Sequence, residues 1–425
     1  MKNKKYLFII FSISFVLFIK LYYTYTSFVS TDFSEKIAYN NADAGHFLSI
    51  ARNIHNFNIY SEYSSIIPSE TATWRPPIWP LILSFLFVFS DSVFWILIAK
   101  LILETILIIG ILYFHKKKTY KNWFLLLPFL LLFIEPQYLK YSLTFNSESI
   151  NSILILILTI LFLTLKTTQK FNILIPIISA IIILCHPVSA FSISVFMGFY
   201  CLINLKLNFK ICFFHGLIFV ALISTWPIRN AITFNKGFFV TASQGATLSK
   251  GWNETVASDF TNVDGDGADE GLNLKYIKDR KLKLPVKSIL DLSELYKEGT
   301  QNYINSLSFN EKMDIVFKKI KSNFNPFPEK PKPGFFEDLS IVFRILYLLL
   351  FFQLFRRLFQ FRKFNFDSQI DRAYLIVISV FIGQIIMAAY IYTGFRFNAI
   401  YSLCLLFCFI IVNQRLIQKA INKIV

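Results

Sequence analysis

The chain has 425 residues, of which 55% are hydrophobic, 18% aromatic and only 16% charged. Soluble domains carry charge on roughly a quarter of their residues, so this composition excludes an ordinary soluble protein of this length. The net charge of +17 does not indicate nucleic-acid binding, because lysines and arginines cluster in the short connections between apolar segments. Those segments are roughly 17 to 25 residues long, which is enough to cross a bilayer, and they predict an all-α polytopic membrane protein.

The basic tracts between the apolar segments predict which parts of the chain face the cytoplasm. The N-terminal "MKNKK" lies inside and precedes an uncleaved span at about 6–24, so that residues 25–75 form a first external loop. A short apolar stretch at about 76–90 predicts a juxtamembrane or re-entrant helix, and a full span follows at about 93–114. The next segment, "WFLLLPFLLLFIEP" at 123–136, is predicted to cross back to the outside.

Continued alternation predicts about ten transmembrane helices, with both chain ends in the cytoplasm. The chain then divides into an N-terminal transmembrane module at 1–230, an extracytoplasmic loop region at 231–338 and C-terminal transmembrane helices at 339–425. Six side chains suited to chemistry fall at the extracytoplasmic face: Asp43, Arg75, Glu148, His186, Arg229 and Arg396. Either a site is assembled there or the outer loops carry ordinary charge, and the pattern of spans does not decide between the two.

The first external loop contains "NADAGHFLSIARNI" at 41–54, whose apolar side chains recur at helical spacing. The opposite face of this predicted helix carries Asp43, His46 and Asn53. Asp43 falls in the first turn, where unpaired backbone N–H groups favour a negative charge, so it can act as a plain helix cap. An ionised carboxylate at the membrane surface can equally accept a proton from a hydroxyl group.

The stretch "TATWRPPIWP" follows within the same loop. Pro76 and Pro77 are predicted to end an extended segment of backbone and to begin the next helix, since proline is tolerated in a first turn. They hold Arg75 at the boundary between water and lipid. Arginine is a common interfacial anchor, but a guanidinium group also binds phosphate through two parallel hydrogen bonds, so both interpretations of Arg75 stay open.

Four short motifs follow one another in this part of the chain: "DAGHF", "SIARNI", "IYSEY" and "WRPPIWPLIL". They resemble D-A-x-x-Y, L-A-x-N, Y-S and R-P-P-x-Y-P-L, the pattern of the first external loop in the GT-C superfamily of membrane glycosyltransferases. The chain is similar to the bacterial branch that includes protein mannosyltransferases and lipid A aminoarabinose transferases. The resemblance implies a GT-C-type bundle with juxtamembrane helices in the first loop and one long external loop.

Further motifs follow in the family's order along the chain. Ser147-Glu148 in "LTFNSESI" is similar to an S-E pair that the family carries in its second external loop. His186-Pro187 stands at an outer helix end where the family usually has R-P, so histidine replaces the usual arginine. This departure leaves the identity of the donor sugar open.

The later motifs come from the second half of the chain. "TWPIRN", which contains Arg229 and Asn230, resembles the family's P-W-x-x-R-N, and "GATLSKGWN", which ends at Asn253, resembles G-x-x-L-x-x-G-N. The late R-Y-R-x-P motif is matched only in part by "FRFNAIYSL". Arg396 fits its first arginine, but Asn398 replaces the second and the proline is missing.

The resemblance implies an enzyme that moves a hexosyl or pentosyl group from a polyprenyl-phosphate carrier to a lipid, glycan or protein acceptor. Asp43 would be the general base that deprotonates the acceptor hydroxyl in a single inverting displacement. Glu148 would be the second catalytic carboxylate, which orients the acceptor, supports Asp43 or binds a divalent ion. The implied substrate-binding residues, among which the arginines hold the carrier phosphate, are His46, Arg75, His186, Arg229, Asn230, Asn253 and Arg396.

The same resemblance implies a protein of the bacterial inner membrane, in contact with membrane lipids, whose active site opens on the extracytoplasmic side. It would serve glycan biosynthesis at the cell envelope. The sequence identifies no cofactor and leaves a divalent metal ion open. "DGDGADEG" at 264–271 offers oxygen ligands for calcium but departs from the EF-hand pattern, so a solvated glycine-rich turn is favoured.

A membrane transporter or flippase of a lipid-linked or amphiphilic solute is the alternative function. Such a protein places charged residues near the bilayer midplane. The mid-span positions are mostly Leu, Ile and Phe, and the exceptions, Lys100 and Glu104, have an i, i+4 spacing that suits a structural ion pair. Charge gathered at one face favours surface chemistry on a lipid carrier. A ligase or polymerase of lipid-linked glycans would share this site and differ in its acceptor.

Overall fold

The structure is a computed structural model of the chain. It describes residues 42–119 (apart from Ser64), 129–165, 170–205, 209–258, 288–324, 335–359, 368–391 and 395–418, together with Ser14, Phe18, Lys20, Tyr22, Asn273 and Asn365. Within these ranges the regular structure is helical and no strand occurs. The prediction of an all-α protein is therefore confirmed for the part of the chain that is described.

Fifteen α-helices lie in the described residues. In chain order they are α1 Ala42–Phe57, α2 Ile78–Leu86, α3 Val93–Thr119, α4 Pro136–Ser142, α5 Glu148–Thr164, α6 Leu174–Cys185, α7 Ser189–Leu205, α8 Phe209–Phe234, α9 Gln244–Gly251, α10 Glu254–Ser258, α11 Ile289–Ser306, α12 Phe309–Phe324, α13 Phe335–Phe359, α14 Gln369–Tyr390 and α15 Phe395–Val412. Short 3-10 segments lie between them at Thr71–Trp74, 129–133 and Lys170–Ile173.

Four helices are long and apolar enough to cross a membrane. They are Val93–His115 within α3, Phe209–Phe234, Leu339–Phe359 within α13, and Gln369–Tyr390. The other apolar helical segments are shorter than 18 residues. They are α5, α6, Ser189–Ile203 within α7 and Asn398–Val412 within α15. Length and composition thus support a membrane protein, but the arrangement of about ten spans is not confirmed in the described residues. The first predicted span, at about 6–24, lies largely outside them.

The two segments that flank α3 behave differently from each other. The nine residues of α2 reach only about 14 Å, which is too short to cross a bilayer and agrees with the predicted juxtamembrane helix. The predicted span at 123–136 is not one continuous α-helix in its described part, because residues 129–133 form 3-10 turns. Pro136 then begins α4, and the Glu135 carboxylate accepts a hydrogen bond from the backbone N–H of Tyr138 at 2.6 Å. Proline cannot donate a helical hydrogen bond, so it starts a helix here rather than continuing one.

The helix predicted from "NADAGHFLSIARNI" is confirmed as α1. Its buried face, which includes Ala44, Phe47 and Ala51, packs against α2. Asp43 lies in its first turn, beside the unpaired backbone N–H groups of a helix start. The helix ends before Asn58, whose φ of 56° is a left-handed conformation that asparagine adopts more readily than most residues.

The main apolar core joins helices that are far apart in the chain. α14 packs along α7, α15 packs along α5, and α8 packs on α6 and α7. Gly383 of α14 lies at a close approach of two helices, since a β-carbon at this position would collide with the backbone of Ser192 in α7. Small residues at crossings allow such close approach between apolar helices.

We expect Gly383→Ala to destabilise the protein by about 1–3 kcal/mol, because the added methyl group has no room unless α7 and α14 move apart. Gly198→Ala on α7 is the matched control. Nothing lies within 4 Å of a β-carbon at Gly198, and alanine favours a helix by about 0.5–1 kcal/mol relative to glycine. Thermal unfolding in detergent measures both variants. Equal melting temperatures for the two would contradict the close crossing.

The part of the chain between α8 and α13 contains the helices α9 to α12. α9 packs on α11, where Gly245 donates its backbone N–H to Ser293 Oγ at 3.2 Å and a β-carbon would collide with the Ser293 carbonyl. α12 exposes Phe309, Met313 and Phe317 at four-residue spacing on a lysine-rich helix. This pattern is typical of a helix that lies at a membrane interface.

A buried ion network connects the first apolar segment to α3, α4 and α5. Lys100 Nζ lies 2.8 Å from Glu104 Oε1, and Lys20 Nζ lies 3.5 Å from Glu104 Oε2. The Tyr138 hydroxyl accepts a hydrogen bond from Lys20 and donates one to Glu104, and Ser149 Oγ also donates to Glu104. The predicted pair of Lys100 and Glu104 is confirmed. Lys20 also binds Glu104, a contact that the i, i+4 spacing of the pair does not predict.

Candidate active site

Four side chains that the sequence predicts at the outer face surround one cavity of about 370 Å³. Asp43 comes from the first turn of α1, and Arg75 comes from the segment that leads into α2. Glu148 occupies the first turn of α5, and His186 follows the end of α6. The fold therefore brings together residues that lie in four separate motifs of the sequence.

Asp43 and Arg75 form an ion pair at the cavity. Arg75 Nη2 donates to Asp43 Oδ1 at 2.6 Å, and the two side chains are 14% and 21% exposed, respectively. A charge-assisted hydrogen bond of this length is among the stronger polar contacts in proteins. Two further donors beside this pair, Arg75 Nε and Trp74 Nε1, are buried without a hydrogen-bond partner among the described residues. Buried donors of this kind are suited to an acceptor supplied by a ligand.

Glu148 and His186 form a second, looser contact in the cavity. Glu148 Oε1 lies 3.9 Å from His186 Nε2, which is within ion-pair range but too long for a hydrogen bond. Both side chains are buried. Glu148 stands in the first turn of α5, where the helix dipole favours a carboxylate. His186 has an extended backbone between α6 and α7, as expected for a residue that precedes proline.

His46 lies one helical turn from Asp43 and is not among the residues that line the cavity. Its Nδ1 is 3.3 Å from Oε1 of Glu62, which is almost fully buried. Burial lowers the pKa of His46 and the charge of Arg75 lowers it further, while the carboxylates of Glu62 and Asp43 act in the opposite direction. The imidazole is therefore a neutral group behind the Asp43–Arg75 pair at pH 7.

Because the folded pKa of His46 lies below the ordinary value of 6.5, protonation favours the unfolded chain. Stability that depends on this group is complete above pH 6.5 and falls as the pH drops below it towards the folded pKa. We expect His46→Gln to reduce this fall, and His55→Gln, at an exposed position of the same helix, is the control for the substitution itself. Melting temperatures measured across about pH 5 to 8 test this. An unaltered pH slope in His46→Gln would contradict it.

Arg229 and Asn230 lie one side chain away from the cavity and do not line it. The Arg229 guanidinium lies 4.9 Å from the ring centroid of Trp226 and 5.5 Å from that of Tyr60, and it donates to Asn230 Oδ1 at 2.9 Å. The Tyr60 hydroxyl donates in turn to the backbone carbonyl of Arg75 at 3.0 Å. Burial raises the pKa of Tyr60, which keeps this hydroxyl a neutral donor. Arg229 and Asn230 therefore support the backbone that carries Arg75.

Asn253 is fully buried and caps a helix. Its Oδ1 accepts from the backbone N–H of Val256 at 3.0 Å, and its Nδ2 donates to the carbonyl of Ser249 at 3.0 Å. Asn253 does not line the cavity, and its capping role is a structural reason for an asparagine at the end of "GATLSKGWN".

Arg396 lies in the first turn of α15, and its side chain lies outside the described part of the chain, as does the acidic stretch 264–271. The roles implied for them stay predictions.

In the described ranges, no group of three or more His, Cys, Asp or Glu side chains is placed to hold a metal ion. The two cavity carboxylates are instead paired with cationic or ring nitrogen groups, Asp43 with Arg75 and Glu148 with His186. These residues do not form a ligand set for the divalent ion that the sequence left open. No chemical step is therefore assigned to a metal.

The rest of the cavity includes uncharged polar side chains that the sequence did not single out. We call these residues the polar wall: Thr241, Ser243, Gln244 and Thr247, around the start of α9, and Tyr390, at the end of α14. Gln244 Nε2 donates to the Tyr390 hydroxyl at 2.7 Å. Three of these residues lie in "SQGATLSKGWN", but no local pattern indicates that this loop meets a residue almost 150 positions later.

A second pocket is larger than the cavity. An apolar groove of about 1130 Å³ runs between α2, α3 and α5, and its lining is aliphatic and aromatic except for Ser90. Ile78 of α2 and Ile150 of α5 line the groove, and each is two positions beyond a cavity residue, Pro76 and Glu148. The cavity and the groove are therefore lined by nearby positions of the same two stretches of chain, and they share no lining residue.

No family model, no curated protein and no solved structure matches the chain. The chemistry of the cavity must therefore be inferred from its own side chains. These comprise a carboxylate bound to a guanidinium, a second carboxylate beside a histidine, and an uncharged polar wall, and the fold also has a separate apolar groove. The combination suits a substrate that has an anionic group, hydroxyl groups and a lipid tail.

Proposed function

We propose that the protein is a GT-C-type membrane glycosyltransferase that acts on a polyprenyl-phosphate sugar. It moves the sugar to an acceptor hydroxyl at the extracytoplasmic face of the bacterial inner membrane, with inversion at the anomeric carbon. The observation that supports this most directly is the meeting of Asp43, Arg75, Glu148 and His186 around one cavity. Ordinary charge on unrelated outer loops gives no reason for these four residues to converge.

In the proposed reaction Asp43 takes the proton of the acceptor hydroxyl as general base. The acceptor oxygen forms a bond to the anomeric carbon, and the bond from that carbon to the phosphate oxygen breaks. The electron pair of the broken bond leaves with the phosphate, which stays attached to the polyprenyl carrier. Glu148, held beside His186, orients the acceptor hydroxyl. This is one displacement step with two partners held in one cavity.

Arg75 has a double role in this scheme. Its Nη2 binds Asp43, while its Nε is buried without a partner among the described residues. A carrier phosphate at this position would accept from Nε and compete with Asp43 for the guanidinium. Asp43 would then be released to act as a base only when the donor is bound. The guanidinium would also stabilise the negative charge that develops on the leaving phosphate.

The apolar groove supports a lipid-linked donor rather than a soluble nucleotide sugar. Its lining and that of the cavity include residues two positions apart at the starts of α2 and α5, and a donor with its phosphate beside Arg75 would need such an apolar surface for its tail. A polyprenyl chain has only hydrocarbon to bury, and the groove is lined by aliphatic and aromatic side chains. The tail would therefore follow the groove while its phosphate stays at the rim of the cavity.

The transporter hypothesis gains no comparable support from the interior of the bundle. Lys20, Lys100 and Glu104 are at most 1% exposed and bind one another. Charged groups sealed in this way cannot contact a passing solute. Their arrangement is that of a structural ion network, as the i, i+4 spacing of two of them predicts.

Purified protein in detergent, supplied with a panel of polyprenyl-phosphate sugars, tests the proposed function. We expect one donor to release polyprenyl phosphate together with a transferred or hydrolysed sugar. Turnover of no donor, combined with solute-dependent flux into liposomes that contain the protein, would reject the glycosyltransferase in favour of a transporter. Chromatography of the lipid product and the released sugar gives the readout.

A further inference from the structure

The polar wall takes no part in the proposed proton transfer or phosphate binding. The charged and titratable side chains of the catalytic scheme are Asp43, Arg75, Glu148 and His186, and none of them belongs to this wall. The wall instead offers three hydroxyl groups of Ser and Thr, one amide and one phenol. We propose that the polar wall binds the transferred sugar and selects a sugar that carries no ionised group. This inference rests on the proposed function and specifies its substrate class.

The hydrogen-bonding groups of the wall match neighbouring sugar hydroxyls. The side chain of Gln244 has two N–H donors and an acceptor oxygen, and the structure uses one donor in the bond to Tyr390. Thr241 Oγ1 and Ser243 Oγ lie 3.1 Å apart, and Thr247 donates to the Ser243 carbonyl, which leaves the lone pairs of its own oxygen as acceptors. The wall therefore offers both donors and acceptors to the hydroxyl groups of a sugar.

Aromatic side chains next to the wall suit the apolar face of a sugar ring. Phe191 of α7 and Phe239 also line the cavity, and the Phe191 ring centroid lies 6.1 Å from that of Tyr390. Binding pockets for small molecules commonly combine apolar rings with a few placed polar groups that set orientation. A neutral sugar presents both kinds of surface, C–H groups on its face and hydroxyl groups at its edge.

The wall is held in place from both ends of α9. At the start of the helix, the absence of a side chain at Gly245 lets α9 pack against Ser293 of α11. At its end, Trp252 Nε1 donates to the Tyr390 carbonyl at 3.0 Å. Lys319 Nζ lies 4.1 Å from the Trp252 ring centroid and donates to the carbonyl of the cavity residue Ile391 at 2.9 Å. A binding surface supported in this way keeps its hydrogen-bonding groups at fixed spacing, which favours selectivity.

The distribution of charge disfavours ionised sugars. A sugar carboxylate would enter a cavity that already holds the carboxylates of Asp43 and Glu148, and Arg75, the arginine that lines it among the described residues, is bound to Asp43. A sugar ammonium group on the polar wall would lie beside hydroxyl and amide groups, without a carboxylate of the wall to pair with. Neutral hydroxyl groups are not repelled by the two carboxylates and need no counter-charge.

Donor panels test the inference with Gln244→Leu, which removes the amide at similar size, and Gln244→Glu, which adds a carboxylate to the wall. Gln301→Leu makes the same chemical change at an exposed position of α11 and serves as the control. We expect wild type to prefer neutral sugars over their amino and uronic-acid counterparts by at least about tenfold in kcat/KM. Gln244→Leu should lose about tenfold on the neutral donor, and Gln244→Glu should shift preference towards the amino sugar. Gln301→Leu should match wild type.

Saturation-transfer NMR with methyl glycosides separates this inference from the proposed function. If wild type turns over a charged donor best, or if both Gln244 variants match wild type, the sugar subsite is overturned and the glycosyltransferase stands. If no donor is turned over but a neutral glycoside gives saturation transfer that Gln244→Leu removes, the sugar subsite stands and the proposed reaction fails. The absence of both turnover and glycoside binding would overturn both.

Discussion

Asp43→Asn is expected to lower the rate of sugar transfer by about 10²–10⁴-fold, because an amide cannot take the proton of the acceptor hydroxyl. Asparagine keeps the shape of the side chain and an oxygen that can accept the 2.6 Å hydrogen bond from Arg75. The substitution therefore removes proton transfer while it leaves the guanidinium in place. Donor affinity should stay the same or rise, because the phosphate contact is assigned to Arg75 and a neutral amide competes less strongly for its guanidinium than the carboxylate does.

Asp314→Asn is the control for this experiment, because it makes the same change at an exposed site on α12, where the side chain pairs with Lys318. Turnover and donor affinity should be measured separately for each variant. A wild-type turnover number in Asp43→Asn would exclude Asp43 as the base. Loss of donor affinity without loss of turnover would instead assign Asp43 to substrate binding.

Glu104→Gln is expected to lower the free energy of unfolding by about 3–5 kcal/mol. Glu104 is the carboxylate that Lys20 and Lys100 share, and all three side chains are at most 1% exposed. A neutral amide would leave two ammonium groups in an apolar interior without their counter-charge. The cost of such uncompensated charge exceeds the cost of losing a surface ion pair several-fold.

Glu294→Gln, on the exposed face of α11, should have almost no effect and controls for the substitution itself. The triple variant Lys20→Met, Lys100→Met, Glu104→Met, here called the combined variant, should recover much of the lost stability. It removes all three charged groups rather than one of them. Thermal and denaturant unfolding in detergent compares the four proteins. Unchanged stability in Glu104→Gln, or a combined variant less stable than Glu104→Gln, would contradict the network.

The helical class and the first-loop helix could be predicted because they depend on local periodicity. The apolar positions of α1 repeat every three to four residues, and a helix buries such a stripe whatever lies around it. The number of spans could not be obtained in the same way. Hydropathy reports how apolar a segment is, but the break at Pro136 depends on a proline and on the Glu135 carboxylate that caps the following turn.

The site was partly predictable for a related reason. Asp43, Arg75, Glu148 and His186 each stand beside a helix start or end that a motif marks, so a chain with alternating spans brings them to one face. Long-range partners leave no such mark in the sequence. The contact of Gln244 with Tyr390 depends on how distant segments pack. A sequence motif also does not distinguish an asparagine that caps a helix, as Asn253 does, from one that binds a substrate.

The lining of the cavity also dictates when the site can first exist during synthesis. The first lining residue in chain order is Asp43 and the last are Tyr390 and Ile391. Nearly the whole chain must therefore leave the ribosome before the lining is complete. At about 5–20 residues per second, roughly 20 to 70 s pass between the first of these residues and the last. A chain truncated before α14 would carry its carboxylate and arginine but not a closed pocket. A shorter product of synthesis therefore lacks part of the cavity lining.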